Sequence, residues 1–476
     1  MFPAGKAQDA RDFDKLAMDN GVLSLILMEN AAFSLYLEVS KLIEEFAPKS
    51  IVAFAGKGGN GGDGLALLRI LRDRGCDIPM KVVPFFKPEE LSGDTLVNWK
   101  ILPENIEVVK DLNIEERTLV IDAMIGIGLK NDLRGKVLET VRYINGLKDV
   151  KIVAVDIPTG LNSDTGEING ETIMADLTVT FGIFKTGLFA SKGPSVCGRL
   201  VLGKISGIYG HENYRYKVID ETELEPVKVA VDSYKNSNGH LLIIGGDVEK
   251  LGATIISAKS FLFSGGGLVT GAFDRKHHDQ LAGKMPSMML TDTKKAVTEL
   301  DKYDSVVIGP GLMAWPFDRD DVFKDYRGTL IVDAGMFDII EDERIQDSLK
   351  NCNVVFTPHP GELKRFLDKT EPWIDLVDRF PLKKGHVLVA KSHSTFIRTN
   401  EDVKIVPTGA KALSFGGTGD ALTGILAFEI TKNGMEKGVQ RGVLRHRLAG
   451  IMLEKRFGAS CHDIDKLLEL IGESGK

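Results

Sequence analysis

Short apolar runs that end in Gly or Asp recur along the chain: SIVAFAG, TLVIDAMIG, KIVAVD, LTVTFG, HLLIIGG, SVVIGPG, LIVDAG, NVVFTPHPG and HVLVAK. A brief unbroken apolar run closed by a turn former is the pattern of a strand buried on both faces. Longer charged, amphipathic stretches such as LALLRILRDRG lie between many of them and read as helices. The alternation predicts α/β architecture, with helices covering a mostly parallel sheet and ligands bound beyond the carboxyl ends of the strands. Between about Gly207 and Ser237 the pattern gives way to polar sequence, YGHENYRYKVIDETELEPVK, which places a boundary near residues 210 to 225. Two domains follow, 1–215 and 216–476, with no fixed-period repeat, low-complexity tract or heptad run.

Composition narrows the partner. A chain of 476 residues, 43% hydrophobic and 27% charged, can bury more than one sizeable core. The formal charge of −7 comes with interspersed signs, so nothing marks a track for a phosphate backbone, and a small metabolite is the expected partner rather than nucleic acid. Cys76, Cys197, Cys352 and Cys461 lie far apart without metal-ligand spacing, which suits buried thiols in a reducing compartment. The opening MFPAGKAQDARDFDKL has no apolar segment and VLSLILM stops at Glu29, so a cytoplasmic protein without a membrane partner is expected. Apolar helix faces such as SLILMENAAFSLYL suit either core or subunit contact, and a homo-oligomer is expected.

In the first half, SIVAFAG is followed by KGGNGGDG (Lys57 to Gly64) and then a helical pattern. Glycines let backbone approach a ligand, and a helix start offers unpaired N–H groups to an anion; a tight turn with no ligand explains the same residues. The order is not the G-x-G-x-x-G dinucleotide fingerprint. Two further strand ends carry an acid beside a Gly-rich turn, Asp122 in VIDAMIGIG and Asp156 in VAVDIPTGLNSDTGE. Alone, each reads equally as a loop former or cap. Together, oxygens of Asn60, Asp122 and Thr159 are a candidate set for a hard cation, and Asp156 for proton transfer.

LMENAA, GGNGGDG, DAMIGIG, VDIPTGLNSDTG and ADLTVTFGIFKTGL, in that order over residues 10 to 205, resemble the NAD(P)H-hydrate epimerase family. The resemblance implies a Rossmann-like three-layer α/β/α domain that interconverts the R and S forms of the hydrate at C6 of the nicotinamide ring. It implies potassium at Asn60, Asp122 and Thr159. Implied substrate contacts are Gly59, Asn60, Gly61, Gly62 and Asp63, then Gly126, Ile127, Gly128, Leu129, Lys130, Asn131 and Asp132, and Asp156 as the catalytic carboxylate. Gly59 stands where the family usually has Asn, and Thr159 where it has Ser.

In the second half, TGAKALSFGGTGDALTGILAFEI runs from a Gly-rich turn (Gly416 to Gly419) into an apolar helix with Asp420 at its start. Backbone N–H groups there form a candidate anion hole for a phosphoryl group, and Asp420 a candidate base for an attacking hydroxyl; an ordinary helix cap is the plain alternative. GPG (Gly309 to Gly311), TPHPGE (Thr357 to Glu362) and KSHST (Lys391 to Thr395) each follow a strand. Together they resemble the ADP- or ATP-dependent NAD(P)H-hydrate dehydratases, which have a ribokinase-like α/β/α fold, over residues 235 to 430. The resemblance implies nucleotide contacts at Lys391, Ser392, His393, Ser394, Thr395 and Gly419, and substrate contacts at Ala253, Gly311, His359 and Asp420, with Asp420 the base. It implies ADP or ATP as phosphoryl donor with Mg2+, and NADH and NADPH hydrates as substrates. His359, between two prolines, also reads as a turn former. The stretch from Asp247 to Ala253, Gly335 and Lys411 depart from the usual pattern.

Two other readings stay open. The phosphate loop equally serves a small-molecule kinase with a non-catalytic N-terminal binding domain. The first half alone also resembles Rossmann-like domains that act as binding or assembly modules, including some in RNA decay.

Overall fold

The computed structural model describes residues 1–110, 114–207, 214–226, 235–246, 250–281, 283–312, 315–333, 336, 342–367 and 370–475. The chain divides into two compact units, Phe2–Lys217 and Val218–Lys476, with Met1 grouped with the second. Gly335 and Asp247, two of the departures noted above, lie outside the described residues.

The first unit opens with two helices, α1 (Ala7–Asp19) and α2 (Ser24–Phe46). Helix α1 is amphipathic: Ala10, Phe13 and Ala17 are buried at i, i+3 and i+7, and Asp9 accepts the Lys6 backbone N–H at 2.7 Å to close the first turn. A seven-stranded parallel sheet follows. Strand β1 (Ser50–Ala55) leads into α3 (Gly59–Asp73); then come β2 (Met80–Pro84), β3 (Glu107–Val108), β4 (Thr118–Ala123), β5 (Val150–Val155), β6 (Leu177–Phe181) and β7 (Arg199–Gly203). Their spatial order is β3-β2-β1-β4-β5-β6-β7. The unbroken apolar runs have a direct cause. Ile51, Ala53 and Ala55 of β1 pack with Leu35, Val39, Leu65 and Leu68 of α2 and α3, whereas Val52 and Phe54 join a separate core with Val141 and Ile144. Both faces of the sheet are covered, so neither parity of the strand can be polar.

In the second unit a parallel run is built from β8 (His240–Ile244), β9 (Leu268–Phe273), β10 (Met288–Asp292), β11 (Ser305–Ile308), β12 (Thr329–Val332), β13 (Asn353–Phe356) and β14 (Val387–Ala390). The order is β10-β9-β8-β11-β12-β13-β14, and β15 (Thr395–Arg398) and β16 (Val403–Val406) extend it antiparallel. Helix α4 (Leu251–Ser264) follows β8, and α5 (Pro360–Phe366) follows β13. The chain ends in α6 (Thr418–Asn433), α7 (Met435–Phe457) and α8 (Ile464–Glu473). A buried ion cluster fixes these helices: Glu429 of α6 accepts from Arg445 Nη1 at 2.6 Å and Arg441 Nε at 2.8 Å, and Arg445 also donates to the carbonyls of Ser264 and Ile471. Desolvation cancels much of such a cluster's attraction, so its contribution is to orientation more than to net stability.

The nine apolar runs all form strands, and both units are α/β with parallel sheets. Strands β2, β3, β7, β9, β10, β15 and β16 carry no such run. Among the described residues no helix is long and apolar enough to cross a membrane.

Candidate functional site

In the first unit the loops at the carboxyl ends of β1, β4, β5 and β6 surround a cavity of about 520 Å³. Gly59, Asn60 and Asp63 line it from the β1–α3 turn, Gly126, Ile127 and Gly128 from the loop after β4, and Asp156 from the end of β5. Gly61 and Gly62 do not. A Cβ on Gly61 would lie 1.8 Å from the Gly56 carbonyl oxygen, and one on Gly62 would meet Met28 and Thr95, so these glycines let α3 fold back against its own strand and its neighbours. Lys130, Asn131 and Asp132 are exposed and, with Leu129, stand away from the cavity wall.

Asp122 and Thr159 are fully buried, and Thr159 Oγ1 donates to Asp122 Oδ1 at 2.7 Å while Thr159 N–H donates to Oδ2 at 2.8 Å. Burial raises the Asp122 carboxyl to about 6 against those hydrogen bonds. Both polar atoms of the buried Asn60 amide lack a hydrogen-bond partner among the described residues, and a Cβ on Gly126 would lie 3.1 Å from its Oδ1. A buried carboxylate, a hydroxyl and an orphaned amide oxygen are the donor chemistry that a hard monovalent cation takes. Among the described residues no cluster of three His, Cys, Asp or Glu side chains offers a site for a transition metal.

Asp156 adopts φ +63°, an uncommon conformation for a residue with a side chain. Its Oδ1 accepts from Lys185 Nζ at 2.5 Å, Thr180 Oγ1 at 3.0 Å and Phe181 N–H at 3.3 Å. Lys185 is buried and spends its remaining donors on Thr180 Oγ1 at 3.1 Å and Phe181 O at 2.9 Å. The sequence reading quoted Lys185 within FGIFKTGL without singling it out; a lysine closing a run of buried apolar residues was the available signal. Three more acids, Asp14, Asp63 and Asp94, line the cavity. Asp63 is pushed well above the usual carboxylate range by burial, then by Asp156 and Asp14; Asp14, which the sequence reading passed over, is raised to about 6 by burial, with Lys185 opposing and Asp156 reinforcing.

The second unit repeats the plan. Gly309–Gly311, Asp333, Thr357–His359 and Lys391 follow the carboxyl ends of β11, β12, β13 and β14. Gly417, at φ +97°, turns the chain into α6 and leaves Asp420 in the first turn. Lys391 Nζ pairs with Asp333 Oδ1 at 2.7 Å and sits beside Gly419, whose Cβ position is 3.3 Å from it. Thr357 Oγ1 donates to the same Asp333 oxygen at 2.5 Å. Asp420 is raised to about 6 by burial and by Asp333, with Lys391 opposing. His446 of α7 hydrogen-bonds the backbone of Thr418, and burial holds its imidazole down to about 4.

The other expected residues divide. Gly311, at φ +76°, lies against Lys250 and Gly246, next to the first turn of α4 where Ala253 sits. Ser394 is buried with Oγ 3.3 Å from Thr408 Oγ1, His393 is exposed, and Thr395 begins β15 beside Ser392. His359 caps α5: its Nδ1 accepts the Gly361 N–H at 3.0 Å, and Glu362 accepts the His359 N–H at 2.8 Å. Asp333, in VDAGMFD, carries no local signal of its pairing, since Lys391 lies 58 residues further along the chain.

Comparison with known proteins gives both halves a family. The YjeF-related protein N-terminus family matches residues 24–187, and the NAD(P)H-hydrate dehydratase family matches residues 241–471. The chain is similar to the bifunctional NAD(P)H-hydrate repair enzyme Nnr of Moorella thermoacetica, at 30% identity over 98% of this chain and 95% of that one. It is similar to the protein of the same name from Hyperthermus butylicus at 32% identity, over 90% and 84%. Among solved structures, a ribokinase-like superfamily protein from Enterococcus faecalis aligns at 25% identity with a TM-score of 0.46, over 57% of this chain and 99% of that one. With one acid-bearing strand-end site in each unit and whole-length relatives at this level of identity, the chain belongs to the family of bifunctional NAD(P)H-hydrate repair enzymes.

Proposed function

We propose that residues 1–215 epimerise the R and S hydrates of NADH and NADPH, and that residues 216–476 dehydrate the S hydrate at the expense of a nucleotide. The observation that carries this reading is that one chain holds two separately built acid sites. One has Asp156 held by Lys185 on the wall of a cavity; the other has Asp420 behind a glycine turn with Lys391 over Gly419.

Epimerisation at a carbon that bears both nitrogen and hydroxyl needs a proton moved so that one bond can loosen, and Asp156 is the proton carrier. Its Oδ1 is engaged by three donors, which fixes the carboxylate in place and leaves Oδ2 for substrate. Gly59, Asn60, Asp63 and Gly126 to Gly128 form the substrate wall. Potassium held by Asn60, Asp122 and Thr159 would supply fixed positive charge beside that wall.

In the second unit the hydroxyl of the hydrate is phosphorylated, and phosphate, a far better leaving group than hydroxide, then departs to restore the double bond. Asp420 takes the hydroxyl proton, the backbone N–H groups of Gly416 to Gly419 face the transferring phosphoryl group, and Lys391 neutralises its charge. Ser392 to Thr395 and Gly419 are the nucleotide contacts; Ala253, Gly311 and His359 are those of the substrate. ADP is the expected donor. Mg2+ would travel with the nucleotide phosphates, since no group of three acidic, His or Cys side chains among the described residues would hold it. The protein is expected to act as a cytoplasmic homo-oligomer.

The test follows the near-ultraviolet absorbance of reduced nicotinamide in purified protein given mixed R and S NADH hydrate. With ADP or ATP, potassium and magnesium present, recovery should exceed the S share. Replacing potassium by a bulky organic cation should slow recovery of the R share alone. Recovery that stops at the S share would remove the epimerase assignment, and a lasting phosphorylated product without reduced nicotinamide would favour a small-molecule kinase.

A further inference from the structure

The first cavity contains more acid than the proposed epimerisation has used. Asp14, Asp63, Asp94 and Asp156 all line it, and Lys57 and Lys185 line it with them. The Lys185 ammonium is committed: its three protons point to Asp156, Thr180 and the Phe181 carbonyl, so Lys185 compensates one carboxylate and has no proton free to give. Asp14 and Asp63 therefore face the cavity without a hydrogen bond from Lys185, and repulsion among the acids that share it is relieved when such carboxyls hold protons. Asp14 reaches the cavity along one helical stripe, with Ala10 and Met18 at i−4 and i+4, from an element that does not carry Asp156.

We infer that Asp14 is a second catalytic residue of the epimerase site, the general acid that works together with Asp156 as base. The inference rests on the epimerase reading of this cavity. The step balances without any oxidant. Asp156 Oδ2 removes the proton of the C6 hydroxyl, the C–O bond becomes a carbonyl, the C6–N1 bond breaks, and its electron pair takes the proton of Asp14 at N1. The aldehyde turns about its single bond. N1 then attacks the other face of the carbonyl, returning its proton to the Asp14 carboxylate while Asp156 returns the first proton to oxygen. Both acids end as they began, and only the configuration at C6 has changed.

The groups facing Asp14 are Lys185, Asp156, Asp63 and, from the chain after the sheet, Tyr214, with Asp9 and Asp12 on its own helix, Asp94 beside Asp63 and Lys57 on the wall of the same cavity. Of Asp14 and Asp63, Asp14 is held at about 6, where a carboxyl both keeps and releases a proton near neutrality, whereas burial pushes Asp63 well above the ordinary range, which suits a hydrogen-bond donor to substrate.

The experiment uses the full chain and R-to-S interconversion of NADH hydrate across pH. The wild-type rate should fall as pH rises through about 6, because the acid must be protonated. Asp14→Asn should lower interconversion by about a hundredfold and remove that alkaline fall. ADP-dependent dehydration of S hydrate by the same preparation should stay at the wild-type rate, and an unchanged unfolding transition of the first unit in denaturant certifies that this unit is folded. Should Asp14→Asn not yield folded protein, Asp14→Glu keeps an acid and should keep the alkaline fall at a displaced pH. Asp63→Asn should raise KM more than it lowers kcat. An unchanged rate and pH profile in Asp14→Asn would overturn the inference while leaving the epimerase reading intact, as would loss of the alkaline fall in Asp63→Asn instead. A wild-type chain that never interconverts the hydrates would sink the epimerase reading itself.

Discussion

Asp420 shows how much a neighbour decides. Its position in the first turn of α6 would suit an ordinary cap, yet burial and Asp333 together raise its carboxyl to about 6. A base with a raised value stays protonated, and idle, up to a higher pH. Dehydration should therefore fall as pH is lowered through about 6, with circular dichroism of the same sample showing that the fold is retained. Asp333→Asn removes the negative neighbour and frees Lys391, both of which lower the Asp420 value, so the fall should move to lower pH in kcat profiles at saturating nucleotide. Asp122 and Asp156 stood out in the sequence because each closes an apolar run beside a Gly-rich turn, and Asp420 because a Gly-rich turn leads into the helix it begins. Asp333, Asp14 and Lys185 did not, because what distinguishes them is the company they keep across the fold: Lys391 lies 58 residues from Asp333, and Lys185 lies 29 from Asp156.

At the level of elements, the turn between β1 and α3 separates two jobs that the motif GGNGGDG compresses into one string. Gly59, Asn60 and Asp63 face the cavity, whereas Gly61 and Gly62 permit close packing. Gly61→Ala would drive a methyl group to 1.8 Å from the Gly56 carbonyl, backbone that cannot swing aside. A loss of about 1–3 kcal/mol in the unfolding of the first unit and loss of epimerisation are expected, with dehydration retained; denaturant titration and the absorbance assay read both. The strands that periodicity revealed are those covered on both faces. Strands β15 and β16 escaped notice because TFIR and VKIV mix charged residues into short antiparallel segments, and β9 because Gly271 interrupts LVTGAF. The expected contacts Lys130 to Asp132 extended a glycine loop beyond the cavity it lines, since a continuous motif does not record where the backbone turns away.

For the molecule as a whole, the two units have separate cores and separate sites, so their chemistries should be separable by single substitutions. Asp156→Asn should confine recovery from mixed hydrates to the S share, and Asp420→Ala should abolish recovery while R and S still exchange, as chromatography of the residual hydrates would reveal. Loss of both activities in either variant would contradict this independence. The sequence by itself determined the α/β class, the strands buried on both faces and the glycine turns at their ends, because these depend on local apolar pattern and backbone freedom. Only the tertiary structure decided which acids share a cavity, which lysine compensates which carboxylate and which glycines pack instead of bind. Electrostatics and close contact act through space, and residues far apart along the chain become neighbours only when the sheets have formed.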